Sequence, residues 1–286
     1  MCELEKGFIV DTSMTRRGLV VSLSAAAALA GLPGEALAAS VSEKDVRVRT
    51  ADGSADAALI TPAGKGKYPA VLLWPDILGL RPVFREKARR LAARGYVVLV
   101  PNPFYRTKRA PIVTGPFDFG DKAAMAGLMK LKDTLTDARI DADTAAYLGY
   151  LDRQPRTDRH RGAGVVGHCF SGPYAFRAAA LAPGRFRAVA TFHGGGLVTK
   201  DGDSPHLLIP RTRATFLVDI AQNDDKQQPE AKTVLKDAFA AAKRPASVEV
   251  FAADHGWTVA GSPAYDEPLA ERAWSQLLGL FGRTLA

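Results

Sequence analysis

From residue 40 onward, the chain switches repeatedly between two hydrophobic patterns. Residues 70–74, Ala-Val-Leu-Leu-Trp, are apolar without interruption, the mark of a strand buried on both faces. Residues 81–94 instead place Phe84, Ala88, Leu91 and Ala92 at helical spacing, with Gly95 as a stop. A second buried strand follows over residues 96–100 and ends at Pro101. Ahead of both, residues 46–49 and 57–60 read as an opening hairpin around Asp52-Gly53. The stretch 101–120 is rich in Pro, Gly and basic residues and reads as a loop over the sheet, and 123–151 supplies one long or two shorter helices. The alternation then continues: strands over 164–167, 188–192, 215–220 and 247–251, helices over 173–182, 230–242 and 269–281. Strands alternating with helices predict an α/β protein with a mostly parallel central sheet and helices on both faces. No internal repeat or linker divides the chain, so residues 39–286 are expected to form one domain.

Three strand ends carry reactive side chains. The run 165–175 is a buried strand, then Gly167-His168-Cys169-Phe170-Ser171-Gly172, then a helix. A sharp strand-to-helix turn of this kind lifts a nucleophile above the sheet, and small residues flank it because the backbone is crowded there. The pattern is G-x-C-x-G with Ser171 in place of the last glycine. Cys169 also sits at a helix N-terminus, whose partial positive charge favours a thiolate. Asp224 and Asp225 follow the strand at 215–220, and His255 follows the strand at 247–251. Nucleophile, acid and histidine thus occur in the chain order this architecture requires, each at the strand end where open α/β sheets place their sites. Asp224 and Asp225 both remain candidates for the acid. Asp254 reads as a turn residue, His160 and His206 as solvated loop residues, and His168 as pocket lining beside the nucleophile. His193 opens a His-Gly-Gly-Gly turn after a strand and is a further candidate for the pocket wall. An oxyanion hole would take the N–H of Phe170, just after the nucleophile, and one from the 74–79 loop, best matched by Ile77. The histidines show no metal-ligand spacing, so the sequence supports no metal site.

With these residues in place, the chain resembles the dienelactone hydrolase family of the α/β-hydrolase superfamily over residues 46–281. The most telling segments are 74–79, 95–106, 164–174, Asp224 and His255-Gly256. The resemblance implies the α/β-hydrolase fold and a triad of Cys169, Asp224 and His255, with Ala221-x-x-Asp224 matching the G-x-x-D turn of such hydrolases. It also implies cleavage of lactone or ester bonds in a small-molecule substrate, without a cofactor. In the family a glutamate precedes the oxyanion-hole residue and interacts with the resting nucleophile; Asp76 stands there here. The family's Pro-Asp-Leu-Tyr-x-Arg pattern is Pro101-Asn102-Pro103-Phe104-Tyr105-Arg106 here, and Arg106 matches an arginine that binds the substrate carboxylate. A thioesterase or peptidase on the same triad, and a binding protein that keeps the fold without chemistry, are the alternatives.

Composition changes this picture little. Of 286 residues, 47% are hydrophobic and 24% charged, as in a soluble globular chain. The net charge of +8 is spread rather than clustered, and no nucleic-acid motif accompanies it. The N-terminus adds a location. Arg16-Arg17-Gly18-Leu19-Val20 precedes an apolar, alanine-rich run to Leu32, and Ala36-Leu37-Ala38 matches a cleavage pattern. Residues 1–38 therefore read as a cleaved export signal of the twin-arginine (Tat) type, with either Met1 or Met14 as the start. The expected location is the periplasm, and the expected state a monomer. Cys2 falls in that segment, leaving Cys169 without an internal disulfide partner.

Overall fold

A computed structural model describes residues 40–285. The expected export segment lies outside the described residues. The elements run β1 (Val41–Thr50), β2 (Gly53–Pro62), β3 (Ala70–Trp74), α1 (Pro82–Ala93), β4 (Val97–Pro101), α2 (Lys122–Asp133), α3 (Asp137–Asp152) and β5 (Ala163–His168). They continue through α4 (Gly172–Leu181), β6 (Phe186–Phe192), β7 (Thr215–Ala221), α5 (Gln222–Gln227), α6 (Ala231–Ala241), β8 (Ala246–Phe251) and α7 (Glu267–Thr284). All eight strands join one sheet in the order β1-β2-β4-β3-β5-β6-β7-β8. Strands β4, β3 and β5 to β8 are parallel, and the β1–β2 hairpin adds antiparallel to β4.

The uninterrupted apolar runs become strands with a core on each side. Ala70, Leu72 and Trp74 point into one core with α3, α4 and α6. Val71 and Leu73 point into the other, with α1 and α7. Phe84, Ala88, Leu91 and Ala92 are the buried stripe of α1, as their spacing predicts. The opening hairpin is longer than the sequence suggested, with ten residues in each strand. Its outer strand is mostly exposed and charged, so little apolar alternation marks its ends. The 123–151 region is two helices, broken at Thr134-Leu135-Thr136, where Thr136 caps α3. One element was not foreseen: α5 buries none of its six residues, so no hydrophobic period betrays it.

Chain order reverses beside β3. The chain passes from β3 outward to β4, then returns to lay β5 on the other side of β3. Loops leaving β3 and β5 diverge there, and such a switch point opens a crevice at the strand C-termini. The turn at Cys169 and the loop from Pro75 to Arg81 both begin at that crevice.

One buried charge stands apart from this plan. Asp219, on β7, is fully buried, and neither of its carboxylate oxygens has a hydrogen-bond partner among the described residues. Burial pushes its pKa up to about 8. The unfolded chain releases this proton near pH 3.9, about the ordinary value for Asp. Between these values the unfolded state binds fewer protons, so this group lowers stability as pH rises, until the slope ends above about 8. Asp219→Asn removes the ionisation. Its melting temperature relative to the parent protein is expected to rise from pH 5 to pH 9. A constant offset across that range in calorimetry refutes the assignment.

Candidate active site

The turn after β5 is built from what its residues lack. A Cβ on Gly167 would lie 2.4 Å from the Ser171 carbonyl oxygen, and one on Gly172 would lie 2.7 Å from Gly194 Cα. Neither contact is tolerable, so both positions require glycine. Cys169 itself adopts φ 56°, a left-handed conformation that costs a side-chain-bearing residue roughly 1–2 kcal/mol. The surroundings hold it there. His168 donates its N–H to Ser171 Oγ at 2.9 Å, and that hydroxyl lies 2.9 Å from the His168 carbonyl. Gly195 donates its N–H to the Cys169 carbonyl at 3.2 Å. Ser171 therefore does more than tolerate the site of the missing glycine: its side chain closes the turn.

The other two strand ends converge on the same crevice. Asp224 lies in the first turn of α5, and its Oδ2 is 2.7 Å from His255 Nδ1. Asp225, one residue on, points to Lys232 instead, with both oxygens 2.8 Å from the ammonium. The His255 N–H donates to Asn223 Oδ1 at 2.9 Å, so α5 fixes the histidine by backbone as well as by ring. Burial draws the His255 pKa down, but the Asp224 hydrogen bond and the adjacent Cys169 outweigh it and push the pKa up to about 10. The ring is thus an imidazolium at neutral pH, beside the sulfur.

His193 packs its ring 4.8 Å from that of His255. It is buried, with φ 43°, and its N–H donates to the Asp219 carbonyl at 2.8 Å. Burial and the His255 charge hold its pKa well below the usual value, so it stays neutral beside a cation. Its Nε2 bonds Thr258 Oγ1 at 3.2 Å, and Lys87 on α1 donates to the Thr258 carbonyl at 2.6 Å. A polar chain thus runs from α1 to the neighbour of His255. No local pattern announces it, because its members come from three separate elements.

Cys169, His193, His255, Asp76 and Ile77 border one cavity of about 630 Å³. Ile77 donates no backbone hydrogen bond among the described residues, and Phe170 lies in the first turn of a short 3-10 helix, where N–H groups lack intrahelical partners. Two expectations need correction. His168 was read as pocket lining beside the nucleophile, but its buried ring packs against Phe84 and Phe192 on the α1–α7 side of the sheet. Strand alternation explains this, since His168 shares the face of Val166. Arg106 was expected at the substrate carboxylate. Its guanidinium instead grips Asp143 at 2.7 and 2.9 Å and Asp52 at 2.7 Å, and it does not line the cavity. Asp76 does border the cavity, but Arg81 holds both of its oxygens, at 2.5 and 2.8 Å. Arg81 was missed as a site residue because it reads as the start of a helix. As the N-cap ahead of Pro82, with φ −151°, it turns back toward the loop instead.

A mostly parallel eight-stranded sheet, covered on both faces, with a sharp turn after β5 at its switch point, is the α/β-hydrolase fold. The dienelactone hydrolase family model matches residues 55–285. The chain belongs to that family and is a hydrolase of its type. Among curated relatives, the carboxymethylenebutenolidase of Pseudomonas sp. (strain P51) is 27% identical over 223 residues, covering 77% of this chain and 86% of the relative. A dienelactone hydrolase-like promiscuous phosphotriesterase from metagenomic libraries superposes with TM-score 0.69 at 25% identity, covering 86% of this chain and 99% of that one. The dienelactone hydrolase of Anabaena variabilis gives TM-score 0.60 at 19% identity, with 86% and 99% covered.

The Arg106 geometry is directly testable. Its side chain is 10% exposed and that of Asp143 1%, and breaking a buried pair of this kind costs about 3–5 kcal/mol. Arg106→Gln is expected to lower stability to urea by that order while leaving KM unchanged. A stable variant with a raised KM would return Arg106 to substrate binding.

Proposed function

We propose that Cys169, His255 and Asp224 form a nucleophile–base–acid triad that cleaves carboxylic ester or lactone bonds through a covalent acyl-enzyme. The observation that carries this reading is the hydrogen bond of 2.7 Å between Asp224 and His255, on a ring whose protonation also depends on Cys169. His255, held by Asp224, takes the proton of Cys169 and leaves the sulfur as the attacking thiolate. The thiolate adds to the carbonyl carbon, and the oxyanion meets the N–H groups of Ile77 and Phe170. Collapse expels the alkoxide, which takes the His255 proton. The sulfur is now a neutral thioester, so one cause of the raised His255 pKa is gone. The neutral ring then acts as base for water, whose attack releases the acid and restores the pair. The paired arginines and small-residue end of the N-terminal segment support export by the Tat machinery and action in the periplasm.

Cys169→Ala is expected to reduce turnover of p-nitrophenyl esters to the uncatalysed rate, and residual saturable turnover would sink the triad. In the parent enzyme turnover should fall on the alkaline side, as His255 loses its proton through about 10. Asp224→Asn removes a hydrogen bond that raises this pKa. It should lower kcat by on the order of 10² and move the alkaline fall to lower pH. Asp225→Asn, at the Lys232 ion pair, should do neither. Equal effects of the two substitutions would remove Asp224 from the acid role.

A further inference from the structure

The chemistry proposed above leaves open which esters enter. We infer that this cavity takes esters whose acyl and alcohol groups are both uncharged and apolar, and that it discriminates against substrates carrying a carboxylate. The inference rests on the triad reading only for its kinetic readout. Its physical basis is the charge inventory of the wall. Apart from the histidines, the only charged side chains lining the cavity among the described residues are Asp76 and Arg81. They neutralise one another through two hydrogen bonds, and Asp76 Oδ1 also accepts the Leu78 N–H at 3.0 Å. The arginine that would receive a carboxylate by family resemblance, Arg106, faces Asp143 and Asp52 instead. Apart from the Ser262 hydroxyl, the remaining side chains are apolar: Ile77 and Leu78 from the loop after β3, Val113 and Phe117 from the loop after β4, and Val259 and Pro263 beyond His255.

A carboxylate placed among these side chains would lose hydration without gaining a cationic partner. Desolvation of an unpaired ion costs several kcal/mol even after relaxation. Arg81 could receive it only by releasing Asp76, which would leave a second carboxylate unpaired in the same wall. A neutral apolar group meets no such penalty and gains contact with the aliphatic and aromatic lining. Phe117 and Phe119 pack edge to face at 5.0 Å, with Phe119 44% exposed, so the loop after β4 offers an aromatic surface where a longer chain would emerge.

The test uses two esters that differ by one terminal group: p-nitrophenyl hexanoate and the mono-p-nitrophenyl ester of adipic acid, in which a carboxylate replaces the terminal methyl. The parent protein is expected to favour the hexanoate by on the order of 100-fold in kcat/KM, about the tenfold-per-1.4 kcal/mol equivalent of a few kcal/mol. Asp76→Asn keeps an oxygen for the Leu78 N–H and frees the Arg81 charge. It should narrow that ratio at least about tenfold, mainly through the KM of the adipate ester. Equal or greater turnover of the adipate ester by the parent protein overturns the inference and leaves the triad standing. Calorimetric binding of both esters to Cys169→Ala separates the remaining cases. Tight hexanoate and weak adipate binding, without turnover by the parent protein, would uphold the inference and sink the proposed chemistry. No binding of either ester, with no turnover, would sink both. The comparison in the parent protein stands even if Asp76→Asn fails to fold.

Discussion

The backbone at Cys169 is held in a conformation it would not choose, and much of the molecule is arranged around that. A left-handed cysteine persists only where its surroundings over-determine it. Here the surroundings are three: the missing side chains at Gly167 and Gly172, the Ser171 hydroxyl folded back on His168, and the glycine turn after β6 that reaches the Cys169 carbonyl through Gly195. The first two come from the turn itself. The third comes from a neighbouring parallel strand, so the turn depends on the β5–β6 register as well as on its own sequence. The same glycine turn begins with His193, itself at positive φ. Constraint at Cys169 and placement of His193 behind His255 are therefore one structural problem, solved once.

Two imidazole rings with centroids 4.8 Å apart repel one another if both are cationic. The structure separates them by their partners. His255 has Asp224 on one nitrogen and the sulfur nearby, and it is the one raised. His193 has a hydroxyl partner and no carboxylate, and it is the one lowered. A neutral, packed His193 can limit where the His255 ring goes without competing for its proton. The Thr258 and Lys87 contacts extend that support into α1, on the opposite face of the sheet from α4. His255 is thus braced from one side of the sheet and Cys169 from the other.

Much of this was legible in the chain. Five of the eight strands are uninterrupted or nearly uninterrupted apolar runs, because a strand covered on both faces has no polar side to display. The triad candidates were legible because each lies within a few residues of a strand end: Cys169 and Asp224 after buried runs, and His255 after β8, where Val248, Val250 and the polar Ser247 and Glu249 alternate. What escaped detection has a common physical cause. The helix α5 buries nothing, so the segment holding Asp224 looks like a loop. The partners of Asp76 and Arg106 come from other turns and helices, and the choice between two neighbouring aspartates depends on which way a helical turn faces. Ion pairing across elements leaves no period in the sequence. His168 is different, since strand alternation carried the signal that it faces away from Cys169.

The two arginines show why residue identity alone transfers poorly between relatives. A guanidinium binds a substrate carboxylate only if no carboxylate of the protein has claimed it first. Arg106 stands where the family resemblance places a substrate-binding arginine, yet Asp143, nearly fully buried, meets it with both oxygens while the Tyr105 hydroxyl donates to the same carboxylate. That arrangement ties the loop after β4 to α3 and leaves no donor aimed into the cavity. Arg81 does border the cavity, but Asp76 accepts from it with both carboxylate oxygens. Each cation is satisfied within the protein, and an aliphatic and aromatic wall is left to select what enters. Substrate charge in this fold is therefore set less by how many arginines surround the site than by how many remain unpaired.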